Sequence, residues 1–280
     1  MSFAFYGHTL LSRFHRQEER QKETTELEVE SDSHEVHEVH DDANSGFLIT
    51  CLLRRPQLDL QGTKPLHYTR NVHLFNGAGN RDHRALGTKY NLKDRGPDPN
   101  YEVISTHFLQ ANTTIPVPTV AQEGTEKSRH FTMVERVPGV PLEKIWSSMP
   151  QSAREELARC TAEYLGQLRS FQSETMGSVD GSPLYCGFLF PGKGSEGCQV
   201  PHGPLKTAEE LWRELEKSLD MNSLDVPLAV RVRLRDCMSD PAPWTFIHGD
   251  LTSCNIMVDP TAYELTGIID WERSGYFPVW

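Results

Sequence analysis

One stretch near the end of this chain restricts its possible folds more than any other. Phe246-Ile-His248-Gly249-Asp250 is an apolar approach to a polar turn, and Asn255 stands five positions after Asp250, ahead of the apolar triplet Ile256-Met-Val258. A second polar turn leads to another apolar run, Leu265-Thr-Gly-Ile-Ile269, which delivers Asp270-Trp-Glu272. Short apolar runs bounded by turn residues read as buried strands. Paired side by side, the two strands bring two carboxylates and an amide to one edge of a small β-structure.

That donor set suits Mg²⁺ shared between protein oxygens and phosphates, which points to phosphoryl transfer. Transfer of a γ-phosphoryl group needs positioning, neutralised charge and a group that orients the attacking hydroxyl. Asp250 suits the last role, because a carboxylate accepts the hydroxyl's hydrogen bond and then its proton. Asn255 offers a metal an uncharged carbonyl oxygen, and Asp270 a charged one. Gly249 permits a tight backbone beside the site, and His248 is expected to brace the loop by hydrogen bonding. A lone His-x-Asp turn is commonly only a capped loop. The joint pattern H-G-D-x-x-x-x-N, strand, turn, strand, D-W-E carries the reading.

Composition narrows the setting. The 280 residues suffice for one large domain or two lobes. The formal charge of −11 is misleading, because residues 17–42 hold eleven acidic residues against Arg20 and Lys22. That net of −9 leaves the rest of the chain near −2, too balanced for a nucleic-acid surface. No apolar run approaches the roughly 18 residues of a membrane span, and the first residues lack the basic start of a secretory signal. Six scattered cysteines with no CxxC pair read as reduced thiols of a cytoplasmic protein. Cys254, inside the key stretch, is expected to be a buried filler.

Residues 1–45 are expected to form a disordered acidic tail, since residues 17–45 lack aromatics and bury too little surface to offset ordering. Within it, His34, His37 and His40 are three apart, unlike an H-E-x-x-H site, and read as solvated tail. Order is expected from Gly46 to Leu53, as a short buried helix or strand. Strands are expected at Asn71–Phe75 and Leu86–Leu92. Between them, residues 76–80 suit either a phosphate-covering turn or an ordinary hairpin. A helix is predicted from about Glu102 to Ala111, ended by Pro116 and Pro118, then a strand at Phe131–Glu135. The second half reads as mainly helical. Ser152 is placed as the cap of a helix burying Leu157, Cys160, Tyr164, Leu165, Leu168 and Phe171. Residues 173–206 read as a long loop, Thr207 with Glu210 has capping-box spacing, and Pro227 suits a helix start.

The His248–Val258 stretch with Ile268–Glu272 resembles the aminoglycoside phosphotransferase and choline kinase-like family of small-molecule kinases. Ile115–Pro118, Phe131–Gly139 and Gly203–Glu210 extend the resemblance over roughly residues 85–280. It implies an α+β, bilobal protein-kinase-like fold: a small β-rich N-lobe at 46–135 and a mainly helical C-lobe at 136–280. It implies Asp250 as catalytic base, Asn255 and Asp270 as Mg²⁺ ligands, ATP as co-substrate, and a small hydroxyl-bearing acceptor. It also implies Lys89 as the ATP-phosphate lysine on an N-lobe strand and Glu102 as its helix partner; a surface ion pair is the plainer alternative. Residues 135–137 match the hinge, where backbone groups at Glu135 and Val137 would meet adenine. Family members continue past the equivalent of Trp280 with helices that wall the acceptor pocket, so a shortened chain is expected, with a non-catalytic nucleotide-binding protein as the alternative function.

Overall fold

The computed structural model describes residues 72–78, 81–96, 101–126, 128–186, 189–190, 200–221 and 226–279. The expectations for the tail at 1–45, its histidines and the segment at 46–53 lie outside them. The described residues fall into two compact units, one holding those within 72–96 and 121–136, the other those within 101–120 and 137–279. The division at Arg136/Val137 lies inside the segment expected as the hinge, whereas residues 101–120, expected in the N-lobe, group with the later part of the chain.

The first unit is built on one sheet. Strands β1 (Val72–Ala78), β2 (Arg81–Leu86), β3 (Tyr90–Gly96), β4 (Val120–Glu126) and β5 (Arg129–Glu135) lie in the order β1-β2-β3-β5-β4. Side chains alternate across a strand, and Leu92 pairs with Met133 while Asp94 pairs with Phe131. Leu92, Phe131 and Met133 accordingly form an apolar cluster on one face, flanked by Leu86 and Tyr90. Asn91, Lys93 and Arg95 belong to the opposite face. Arg129 closes a two-pronged ion pair on Asp94, with Nη2 2.8 Å and Nε 3.1 Å from its carboxylate oxygens.

The strand expected across Leu86–Leu92 is two strands. Leu86 pairs directly with Tyr90, and residues 87–89 form the hairpin turn between β2 and β3. Gly87 supplies the backbone reversal at φ +61°, a conformation cheap only for glycine. The hydrophobic pattern alone does not register that reversal.

The second unit opens with α1 (Tyr101–Asn112), which stops where Thr113 caps back onto the Leu109 carbonyl and Pro116 and Pro118 hold the chain extended. Strand β6 (Val140–Pro141) and α2 (Leu142–Ile145) precede α3 (Gln151–Arg169). Of the stripe expected on α3, Leu157 and Leu168 are buried, Cys160, Tyr164 and Leu165 are half-buried and Phe171 lies past the helix end, while Thr161, outside that stripe, is buried. Ser152 does not cap the helix. Pro150 precedes the first turn and its carbonyl receives the Ala153 and Arg154 N–H groups, so the start needs no hydroxyl. After β7 (Gln172–Ser173) the long loop is tied by bridges between Met176 and Leu205 and between Leu184 and His202. At the head of α4 (Ala208–Met221), Glu210 N–H bonds Thr207 Oγ1 at 3.1 Å and Thr207 N–H bonds the Glu210 carboxylate at 3.2 Å, a closed capping box. Helix α5 (Leu228–Cys237) follows Pro227. No described helix is long and apolar enough to cross a membrane.

Four short strands complete this unit: β8 (Trp244–Ile247), β9 (Ile256–Val258), β10 (Leu265–Ile268) and β11 (Gly275–Phe277). They form two small sheets, β10-β9-β6 and β11-β8-β7. Leu109 of α1, Leu168 of α3, Phe246, Ile268 and Trp271 share one buried cluster. The helices thereby anchor both strands that lead into the polar stretch.

Candidate active site

Asp250, Asn255 and Asp270 are placed by strand ends. The loop from His248 to Asp250 leaves β8, Asn255 enters β9, and Asp270 leaves β10. Ile256 pairs with Ile268 across the hairpin, and one step further Ile269 N–H donates to the Asn255 carbonyl at 2.9 Å. Asp270 therefore follows directly on the residue that is hydrogen-bonded to Asn255. The hairpin turn is itself braced by Asp259, whose carboxylate accepts the N–H groups of Thr261 and Ala262 at 2.7 and 2.8 Å. Those two donors hold its carboxyl below the usual aspartate value.

His248 binds both halves of the loop. Its Nε2 lies 2.9 Å from the Ile269 carbonyl, and the Asp250 N–H donates to its Nδ1 at 3.2 Å. A carbonyl only accepts and an amide N–H only donates, so Nε2 carries the proton and Nδ1 the lone pair. The ring is buried and lies against Trp271, with centroids 4.3 Å apart, while Trp271 Nε1 donates to the Ile268 carbonyl at 2.8 Å.

Gly249 sits at φ +79°, and a Cβ there would lie 2.1 Å from the Arg273 carbonyl oxygen. The Asp250 turn thus rests directly on the backbone that follows Asp270. Asn255 donates its Nδ2 to the Asp250 carbonyl at 2.8 Å, which fixes the amide orientation and reserves Oδ1 as the acceptor end. Asp270 adopts the left-handed conformation at φ 67°, ψ 56°, uncommon for a residue with a Cβ and frequent at functional turns. The hard oxygens of Asn255 and Asp270, on adjacent strand ends, fit a cation such as Mg²⁺.

Other residues of the stretch depart from the sequence reading. Cys254, expected to be buried, is exposed, with Sγ 2.8 Å from Thr252 Oγ1. It occupies the turn ahead of β9, which begins only at Ile256, so the alternation that buries Ile256 and Val258 does not extend to it. Arg273, absent from the sequence reading, places Nη1 3.8 Å from the Asp250 carboxylate. The partners are 23 positions apart, so no local pattern signals them.

The residues expected on the nucleotide side are distributed as follows. Lys89 lies in the exposed β2–β3 turn and not on a strand, with Nζ 5.1 Å from the Tyr90 ring centre. The strand placement is corrected by the same Gly87 reversal that divides β2 from β3. Lys93, four residues later, is on β3, is buried at 6% exposure and pairs with Thr132. Glu102 is in the first turn of α1 and buried at 1% exposure. Helix α1 packs against the turn Trp271–Arg273 that follows Asp270. Glu135 ends β5 opposite Tyr90, and Arg136 N–H donates to the Lys89 carbonyl at 2.8 Å. Val137 begins the other unit, its side chain against Gly267 of β10.

Residues 94–280 match the model of the phosphotransferase enzyme family, APH, and the chain belongs to that family. Its fold is the protein-kinase-like one, with a small β-rich lobe and a mainly helical one. Among solved structures it is similar to the GDP complex of an aminoglycoside 2'-phosphotransferase IIIa mutant, at 17% identity and TM-score 0.51, covering 74% of this chain and 68% of that one. It is also similar to the streptomycin–ATP complex of APH(2'')-IIa, at 14% identity and TM-score 0.49, covering 74% and 67%. A third similar structure is APH(3'')-Id from Streptomyces rimosus with ADP and streptomycin, at 19% identity and TM-score 0.43, covering 72% of each chain. Comparison with curated proteins gives no match.

Proposed function

We propose that this phosphotransferase moves the γ-phosphate of ATP to a hydroxyl of a small molecule, in the cytoplasm. Asp250 is the base, Asn255 and Asp270 hold Mg²⁺, and His248 and Gly249 support the loop. The observation that carries the reading is the pair of hydrogen bonds joining Asp250 to Asn255 and Asn255 to Ile269, which ties the Asp250 turn to the start of β9 and that start to the residue before Asp270. In the reaction the bond from the γ-phosphorus to its bridging oxygen breaks, a bond to the acceptor oxygen forms, and the hydroxyl proton passes to Asp250 as ADP leaves. Mg²⁺ held by Asn255 and Asp270 would neutralise phosphate charge. Asp250 orients the hydroxyl and takes its proton; His248, neutral and held at both nitrogens, keeps the Asp250 backbone in place.

Lys93 takes the phosphate-contacting role that the family resemblance implied for Lys89. Two features support this: it stands on a strand of the β-rich unit, and its buried amine has less solvent to compete with a phosphate. Glu102 supports the nucleotide side from the first turn of α1, and the backbone at Glu135 and Val137 offers groups to the nucleobase. The GDP in the first similar structure supports a nucleotide as phosphate donor.

The test is turnover of ATP and of GTP against a panel of hydroxyl compounds, together with nucleotide binding. Asp250→Ala is expected to abolish turnover and keep nucleotide binding, and Asp270→Ala to weaken Mg²⁺-dependent binding. Undiminished turnover in the Asp250 variant removes the mechanism. Nucleotide binding without transfer to any acceptor or to water identifies a non-catalytic nucleotide-binding protein instead.

A further inference from the structure

Arg273 carries a charge that the mechanism leaves unused. It closes the short turn Trp271–Arg273, and its backbone carbonyl is pressed against Gly249. The start of this side chain is therefore fixed to the Asp250 turn by main-chain packing. The guanidinium is two-thirds buried, at 33% side-chain exposure. Its Nη1 lies 3.8 Å from Asp250 Oδ2 and its Nε 3.8 Å from Glu272 Oε1. Both distances are ion-pair distances and both exceed hydrogen-bonding reach. Nε is buried without a hydrogen-bond partner.

That is an unusual state for such a group. A guanidinium offers a fork of N–H donors, and donors withdrawn from water are normally satisfied. The same chain shows a satisfied fork at Arg129, whose Nη2 and Nε reach the Asp94 carboxylate at 2.8 and 3.1 Å. Beside Asp250 the charge is balanced at a distance and Nε is left without a hydrogen-bond partner. A fork of this kind matches the planar or tetrahedral oxygens of a carboxylate or phosphate. It stands next to the carboxylate that, on the phosphotransfer reading, receives the acceptor's hydroxyl proton.

We propose that Arg273 is an anion-recognition residue of the acceptor site, and that the acceptor is a small hydroxy compound bearing an oxyanion, a carboxylate or a phosphate, close to its reactive hydroxyl. The proposal rests on the phosphotransfer reading, because that reading puts the hydroxyl at Asp250. A cationic acceptor of the same shape would place like charge beside the guanidinium and is disfavoured.

The experiment is calorimetric titration of the full chain, with Mg²⁺ and ADP present, using two series matched in shape and differing in charge. One is glycerate, glycerol and aminopropanediol; the other is gluconate, sorbitol and glucamine. The anionic member of at least one series is expected to bind about tenfold or more tightly than its neutral and cationic partners. Arg273→Gln is expected to remove that preference, and Arg273→Lys to keep part of it, since the charge remains and the fork is lost. Should Arg273→Gln not fold, the Lys variant carries the comparison. Equal binding across charges, no binding in either series, or a preference that survives Arg273→Gln overturns the proposal. Replacing the carboxylate by a phosphate, as in glycerol phosphate, separates the two oxyanions. Acceptor-free nucleotide hydrolysis reports on the parent reading independently. Asp250-dependent hydrolysis without charge preference removes only the anion site; loss of both nucleotide binding and hydrolysis removes both ideas.

Discussion

Gly249→Ala measures how tightly the Asp250 turn is seated on the segment after Asp270. The backbone at Gly249 has φ +79°, where an alanine costs about 1–2 kcal/mol relative to its preferred conformations. The new Cβ also meets the Arg273 carbonyl oxygen at 2.1 Å and its carbon at 2.8 Å, and both are main-chain atoms that no rotamer change can move. Overpacking of this sort adds about 1–3 kcal/mol. Gly181 is the internal control: its φ is +80°, but nothing lies within 4 Å of an added Cβ. Gly181→Ala therefore carries the conformational cost alone, and the difference between the variants isolates the steric part. We expect Gly249→Ala to be less stable than Gly181→Ala by about 2 kcal/mol, or roughly 4–8 °C in Tm. Turnover should fall in Gly249→Ala even at temperatures where it stays folded, because relief of the clash displaces the adjacent Asp250. Thermal unfolding followed by circular dichroism, with turnover assayed well below both midpoints, gives the two readouts. Equal losses of stability in the two variants would refute the reasoning, since the close approach to Arg273 would then have no energetic consequence.

Lys93→Met should weaken ATP binding by roughly 1.5–3 kcal/mol, tenfold or more, while Lys89→Met, at an exposed turn, should change it little; titration calorimetry distinguishes them. Thr207→Ala should destabilise the chain by about 1 kcal/mol through loss of the capping box, and Thr207→Ser should recover most of it in urea denaturation. Asp259 has its folded pKa below the ordinary 3.8, so its contribution is full above the unfolded value and is lost as pH falls through the folded one. Asp259→Asn should accordingly be less stable than the parent at neutral pH in denaturation curves, with the gap held until pH approaches the ordinary 3.8 and narrowing as it falls below that value.

Much of the architecture is legible in the sequence because it rests on local chemistry. The strands around the H-G-D and D-W-E stretches, the helix ended by Pro116 and Pro118, the capping box at Thr207 and the stripe on α3 all follow from short-range patterning and backbone restriction. Adjacent placement of Asn255 and Asp270 follows too, because a short hairpin leaves two apolar triplets almost no other register. The errors arise where a backbone reversal or a distant partner decides. Gly87 turns the chain inside what reads as one strand and leaves Lys89 at a turn and Lys93 buried on β3. Pro150 begins α3 where a hydroxyl cap at Ser152 is expected.

The sequence by itself determined the make-up of the polar stretch: two carboxylates, an amide and a histidine, delivered by short strands. Only the tertiary structure decided how that stretch is held and what stands beside it. The contact of Gly249 with the Arg273 backbone, the hydrogen bond of His248 to the Ile269 carbonyl and the guanidinium of Arg273 near Asp250 each join residues more than twenty positions apart. Such contacts depend on how β8, β10 and the turn after Asp270 pack, and no period or spacing along the chain encodes them.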